Sequence, residues 1–225
     1  MNETFEQRLE RVEQRIAKAC QNAGRSREEV RLLAVSKTKP PEAVREAAGC
    51  GLRLFGENRV QEAQSKIPLC PPGLEWHLIG HLQTNKAKIA ARFFQMVHSV
   101  DSLKLLEALD SHAGTTLPVL LQVNVSGEAA KFGMKPDEVA GVIETANRLQ
   151  KCEVHGLMTI PPFSPDPEKT RVHFRALREL RDRLQQETAT PLPELSMGMS
   201  HDLEVAIEEG STWVRIGTDL FGSRN

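Results

Sequence analysis

The chain lacks a strong net charge, paired cysteines, a long apolar run and a glycine-rich nucleotide loop, and each absence removes a class of function. A formal charge of −1 over 225 residues creates no global field to draw in nucleic acid or an anionic lipid surface. Any anionic ligand must therefore be held by local groups. Cys20, Cys50, Cys70 and Cys152 are widely spaced with no C-x-x-C pair. This argues against a disulfide framework or a zinc knuckle and favours a reducing, cytosolic compartment. The opening segment Met1 to Arg8 is too charged for a signal peptide, and no apolar stretch approaches the roughly 20 residues of a membrane span. The expectation is a soluble cytoplasmic protein that binds neither nucleic acid nor membrane.

The missing motifs narrow the chemistry. No G-x-G-x-x-G, Walker loop, H-E-x-x-H or G-x-S-x-G elbow occurs, so neither a dinucleotide enzyme, a nucleoside-triphosphate enzyme, a zinc protease nor a serine hydrolase has positive support. His77 and His81 have i, i+4 spacing, but Gly80 and the strand-like Trp76 to Ile79 argue against a metal-binding helix. No metal is expected.

What is present is an alternation. Phe5, Leu9, Val12, Ile16 and Ala19 recur at helical spacing, which predicts an amphipathic helix over 3–22 closed by Gly24. Eight strand-like runs follow: Leu32 to Val35, Arg53 to Phe55, Glu75 to Ile79, Met96 to Val100, Pro118 to Val125, Glu153 to Met158, Glu194 to Ser196 and Thr212 to Ile216. Helical patterns lie between them, at Pro41 to Ala48, Glu57 to Lys66, Asn85 to Arg92, Ser102 to Leu109, Pro136 to Leu149, Glu168 to Glu187 and Asp202 to Glu209. Eight parallel βα units close most economically into a (β/α)8 TIM barrel, with a doubly wound open sheet as the rival. The whole chain, 1–225, reads as one domain. It ends a few residues after the eighth strand, so the N-terminal helix is expected to take the place of the eighth outer helix.

Barrel sites gather at the carboxyl ends of the strands, and phosphate is commonly held after strands seven and eight. Lys37 ends the first strand, where Pro40 and Pro41 stop it, and a lysine amine there can form a Schiff base with an aldehyde. Strand seven runs into Met197-Gly198-Met199-Ser200 and strand eight through Arg215 into Gly217-Thr218, which supply close backbone approach and hydroxyl donors for a phosphate. The plainer reading of Ser200 is a helix N-cap. Strand parity places Trp213, Arg215 and Gly217 on one face and Leu33, Val35 and Lys37 on another, and both sets can face the barrel axis. The loops Ser126 to Lys135 and Pro161 to Pro167 are candidates for covering a ligand.

Val35-Ser36-Lys37-Thr38-Lys39, Phe55-Gly56-Glu57-Asn58, Trp76-His77-Leu78-Ile79-Gly80 with Leu82-Gln83 and Asn85-Lys86, His155-Gly156-Leu157-Met158, Ser196-Met197-Gly198-Met199-Ser200 and Arg215-Ile216-Gly217-Thr218, taken in order, closely resemble the YggS/PROSC family of pyridoxal-phosphate homeostasis proteins. Leu78 stands where that family more often carries an aromatic residue or methionine. The resemblance implies a barrel like the N-terminal domain of alanine racemase, without its C-terminal β-domain, with pyridoxal 5'-phosphate bound as an aldimine to Lys37. It further implies that Ser200, Gly217 and Thr218 hold the phosphate, that Arg215 faces the pyridine nitrogen, and that Asn58, and less strongly His77, lie near the cofactor. The implied role is vitamin B6 homeostasis, with pyridoxal-phosphate-dependent apoenzymes as possible recipients.

An arginine at the ring nitrogen disfavours its protonation and weakens the ring as an electron sink. Alanine racemases offset this with a second base, a tyrosine from a partner's C-terminal domain, whereas this chain contains no tyrosine. The expectation is therefore a protein that binds the cofactor without efficient turnover, and, without the racemase's second domain and its dimer contacts, a monomer. The alternatives are a racemase for an unidentified amino acid and an interaction scaffold with a vestigial site.

Overall fold

Eight parallel strands close into a barrel in simple sequence order, β1-β2-β3-β4-β5-β6-β7-β8, with β8 paired back to β1. The computed structural model describes residues 3–128 and 132–222. In chain order the elements are α1 (Phe5–Asn22), β1 (Arg31–Val35), α2 (Pro41–Gly49), β2 (Leu54–Glu57), α3 (Val60–Lys66), β3 (Glu75–Leu78), α4 (Ala87–Phe93), β4 (Met96–Val100), α5 (Leu103–His112), β5 (Leu117–Gln122), α6 (Val139–Ala146), β6 (Cys152–Met158), α7 (Arg171–Thr188), β7 (Glu194–Met199), α8 (Leu203–Glu208), β8 (Trp213–Ile216) and α9 (Thr218–Phe221). The barrel, not the open sheet, is the architecture.

Two apolar layers hold it. The larger packs strand residues such as Ala34, Phe55, Val97 and Leu121 against the helices, while Leu33, Val35, Ile79, Met96, Leu120, Met158 and Trp213 fill the barrel interior. Residues two apart on β1 share a face, so Leu33 and Val35 point inward and Lys37 continues their line at the top.

The N-terminal helix forms as the periodicity predicts. Thr4 and Gln7 make a reciprocal capping box, with Gln7 N–H donating to Thr4 Oγ1 at 3.3 Å and Thr4 N–H to Gln7 Oε1 at 3.0 Å. The helix packs against α8, α9 and α2, filling the outer-ring position after β8, where α9 has only four residues. Arg15 binds this helix to the top of the barrel by donating to Glu204 Oε1 at 2.6 Å, to Ser200 O at 2.9 Å and to Asp219.

Several boundaries differ from the sequence expectation. Glu57, expected to open a helix, instead ends β2, because its carbonyl accepts from Ile79 N–H at 2.9 Å in the β2–β3 ladder; α3 starts at Val60. Pro136 and Glu168 lie ahead of helices that begin at Val139 and Arg171, the latter after a 3-10 turn over Pro167–Thr170. Ser200 is not the N-cap of α8; Asp202 is. Gly156 sits where β6 pairs closely with β7, since a Cβ there would lie 1.9 Å from Glu194 O.

Candidate functional site

A cavity of about 440 Å³ opens at the carboxyl ends of the strands. Lys37 after β1, Asn58 after β2, Ser200 after β7, Arg215 on β8 and Gly217 and Thr218 after β8 all line it. Six of the seven residues singled out in the sequence, all but the weaker candidate His77, therefore meet in one cavity. Its wall also contains Ile79, Gly80 and His81 after β3, Gln122 from β5, Phe132, Ile160, Met199 and His201.

Asn58 is held by close backbone packing: a Cβ on Gly80 would lie 2.3 Å from Asn58 O. Only glycine lets the segment after β3 pass under Asn58. On the opposite wall, Gly198 has φ 92° and a Cβ there would lie 2.5 Å from that of Ala206, so the turn after β7 needs glycine twice over. That turn delivers Ser200, whose Oγ accepts from Asp219 N–H at 3.3 Å and whose carbonyl accepts from Arg15. Gly217 is different. Its φ is −113°, and a Cβ would meet nothing nearer than Val35 O at 3.4 Å, so the chain's own packing does not demand glycine there.

Arg215 forms the floor. It is buried at 3% exposure and donates to Ser196 Oγ at 2.7 Å and Thr159 O at 2.9 Å. Burial pulls its guanidinium down to about 10, with Asp202 opposing the fall, so it remains a cation at neutral pH. These two bonds use two of the five N–H donors of a guanidinium whose side chain lines the cavity.

Beneath Arg215, a polar chain crosses the otherwise apolar interior. His98 Nδ1 lies 2.9 Å from Ser196 Oγ, His98 Nε2 3.0 Å from His77 Nδ1, and His77 Nε2 2.8 Å from Glu75 Oε1 at the opposite end of the barrel. Arg215, which can only donate, stands at one end of this chain and the Glu75 carboxylate, an acceptor, at the other. Burial, then His77, Arg215 and Arg31, hold His98 well below the usual histidine range. His98 is thus neutral. His77, a weak cofactor candidate from sequence, belongs to this chain and does not line the cavity.

The rim is apolar and aromatic. Phe132 is 58% exposed and its ring stacks on His81 at 3.9 Å, while Phe163, 80% exposed, lies 5.4 Å from the His201 ring. His201 Nε2 is also 2.9 Å from Ser164 O, which joins the loop after β6 to the loop after β7. The loop Ser126 to Lys135 reaches the rim through Phe132; its residues 129–131 lie outside the described residues. Sequence reasoning missed His98, Gln122, Phe132, Ile160 and Arg15. Ile160, which follows a predicted strand, and Phe132, which lies in the loop Ser126 to Lys135 already singled out as a cover for a ligand, carried a local signal.

The chain matches the family model of the alanine racemase N-terminal domain over residues 8–225. It is 50% identical to the pyridoxal phosphate homeostasis protein of Aquifex aeolicus, over 97% of both chains. With that of Pseudomonas aeruginosa the identity is 49%, over 99% of this chain and 96% of the relative. Among solved structures it resembles PipY of Synechococcus elongatus with PLP bound, at a TM-score of 0.82 and 41% identity, covering 92% of this chain and 100% of that one. The alanine racemase of Corynebacterium glutamicum shares the fold alone, at a TM-score of 0.69 and 17% identity over 96% of this chain and 61% of the racemase. Whole-length identity to the homeostasis proteins, on the barrel just described, places the chain in the pyridoxal phosphate homeostasis protein family.

Proposed function

We propose that this protein binds pyridoxal 5'-phosphate in the cavity at the top of the barrel and serves its intracellular homeostasis, without efficient catalytic turnover. The observation that carries the reading is the pairing of the Lys37 amine with a buried Arg215 cation in one cavity whose remaining wall offers Ser200, Gly217 and Thr218. When bound, the cofactor supplies an aldehyde that condenses with an amine and a pyridine ring whose electron-withdrawing power rises when its nitrogen is protonated.

The residues fit that group. Lys37 provides the amine for covalent attachment. Ser200 and Thr218 provide hydroxyls, and Gly217, for which the chain's own packing gives no reason, leaves room for a phosphate to approach the backbone. Arg215 would offer a ring nitrogen a donor, never an acceptor, and so would disfavour its protonation. The Ser196 hydroxyl, backed by the neutral His98, orients the guanidinium. Asn58 completes the wall beside Lys37. On this reading the protein holds the cofactor in a weakly activating state suited to storage and release. It works as a single-domain monomer in the cytoplasm, with apo forms of pyridoxal-phosphate enzymes as recipients.

The test uses purified protein loaded with pyridoxal phosphate. It is expected to restore activity to an apoenzyme of this class and to leave the α-deuterium of common amino acids in place. Rapid exchange of α-deuterium would favour the racemase alternative. No uptake of the cofactor would end the reading.

A further inference from the structure

The amine-bearing residue is held through its neighbours. Ser36, before Lys37, is fully buried, and Thr38, after it, has φ 63°, a left-handed conformation that a β-branched residue keeps only when its surroundings impose it. Lys66, the last residue of α3 and 5% exposed, supplies the constraint. Its ammonium donates to Ser36 O at 2.8 Å, to Glu57 Oε1 at 2.8 Å and to Glu62 Oε1 at 2.7 Å, one acceptor for each N–H. The same two carboxylate oxygens close the loop: Ser36 Oγ donates to Glu57 Oε1 at 2.6 Å, and Thr38 N–H donates to Glu62 Oε1 at 2.6 Å. The carbonyl before Lys37 and the amide after it are therefore tied to one buried cation.

This cluster sits behind the cavity wall; of these residues, only Lys37 lines the cavity. It is a poor way to stabilise a core. A lysine and a glutamate are buried together, Glu57 Oε2 has no hydrogen-bond partner among the described residues, and apolar side chains of similar volume commonly stabilise such a position as well or better. What charged groups provide and apolar ones do not is direction: they fix particular carbonyl, hydroxyl and amide groups in place.

We propose that Lys66, with Glu57 and Glu62, forms a positioning cluster that fixes the backbone on both sides of Lys37 and so aims its amine into the cavity. The proposal rests on the reading of Lys37 as the attachment amine. Glu62 gives the cleanest test, because its side chain is 25% exposed and its loss leaves the buried Glu57–Lys66 pair intact. Glu62→Ala frees Thr38 N–H to reorient, whereas Glu62→Gln keeps an oxygen to accept from it.

Full-length wild type, Glu62→Ala, Glu62→Gln and Lys66→Met are mixed with pyridoxal phosphate, and the rate of visible-band formation is followed by stopped flow. Borohydride reduction and peptide mapping assign the product, and melting curves without ligand report the fold. Acetic anhydride labelling of Lys37 relative to exposed Lys88, without cofactor, gives an independent reactivity. Glu62→Ala is expected to slow modification of Lys37 by about tenfold or more, within the roughly hundredfold that an ångström of misplacement can cost, at an unchanged melting temperature. Glu62→Gln is expected to recover most of the rate, and Lys66→Met to lose both rate and thermal stability. Wild-type rates in Glu62→Ala, or a folded Lys66→Met that reacts normally, overturn the positioning role alone. A wild-type protein that gives no Lys37 product overturns the attachment reading and this proposal with it.

Discussion

Replacing Arg215 by methionine separates a binding cation from a structural one. Burial pulls its pKa from the ordinary arginine range down to about 10, which disfavours the cation by roughly 3 kcal/mol, at about 1.4 kcal/mol per tenfold change. The folded pKa lies below the unfolded one, so this cost is fully present below about pH 10 and relieved only above it. Methionine removes that cost. It also removes the bonds to Ser196 Oγ and Thr159 O, worth roughly 1.5–3 kcal/mol each when the donor is charged. The two effects oppose one another, so unfolding of the ligand-free protein in urea is expected to shift by no more than about 3 kcal/mol, at or below the low end of the roughly 3–5 kcal/mol typical of breaking a buried ion pair. On the proposed reading, pyridoxal phosphate would lose a charged donor at its ring nitrogen, and its affinity is expected to fall about 10- to 100-fold. Urea melts with and without cofactor measure both quantities. A variant destabilised by more than about 4 kcal/mol that binds the cofactor as tightly as wild type would refute the argument and make Arg215 a core cation.

Three further outcomes follow from particular residues. His98 stays neutral in the fold while an unfolded histidine takes up a proton near pH 6.5, so stability is expected to fall as pH drops below that value, by up to about 1.4 kcal/mol per pH unit. In His98→Gln, denaturation at pH 7, 6 and 5 should show a shallower slope; an unchanged slope would exclude His98 as its source. Ser200→Ala is expected to weaken cofactor binding about tenfold while shifting unfolding by less than about 1 kcal/mol, since the long Asp219 N–H bond is its only side-chain hydrogen bond among the described residues. Isothermal titration measures the first, and equal affinity would remove Ser200 from the phosphate site. Gly80→Ala drives a Cβ to 2.3 Å from Asn58 O and is expected to cost about 1–3 kcal/mol and to loosen cofactor binding. Gly141→Ala, in α6 with nothing within 4 Å, is expected to gain up to about 1 kcal/mol. Equal melting temperatures for the two alanine variants would refute the steric reading.

Much of the architecture was legible because parallel barrel strands are short apolar runs between amphipathic helices, and the eight runs are also the eight strands. Strand parity put Lys37 and Arg215 over one axis, which the closed barrel realises. Glu57 was misassigned because its polarity suits a helix start, whereas the ladder bond from Ile79 decides for strand. Ser200 had the chemistry of a cap, but the left-handed Gly198 turn leaves it short of the helix and on the cavity wall. His98 was illegible for another reason. On β4 it is fully buried, and its meaning lies in Ser196, 98 residues further on, a contact that only barrel closure creates. The Lys66 cluster is similar: a helix-terminal lysine reads as solvated until α3 packs it against the end of β1.

The most direct test of the account is borohydride reduction of the protein with pyridoxal phosphate, followed by peptide mass mapping, with Lys37→Ala alongside. The account predicts a visible absorbance band and a single stoichiometric modification at Lys37, both lost in the variant. Modification scattered over surface lysines, or an equal yield from Lys37→Ala, would contradict it.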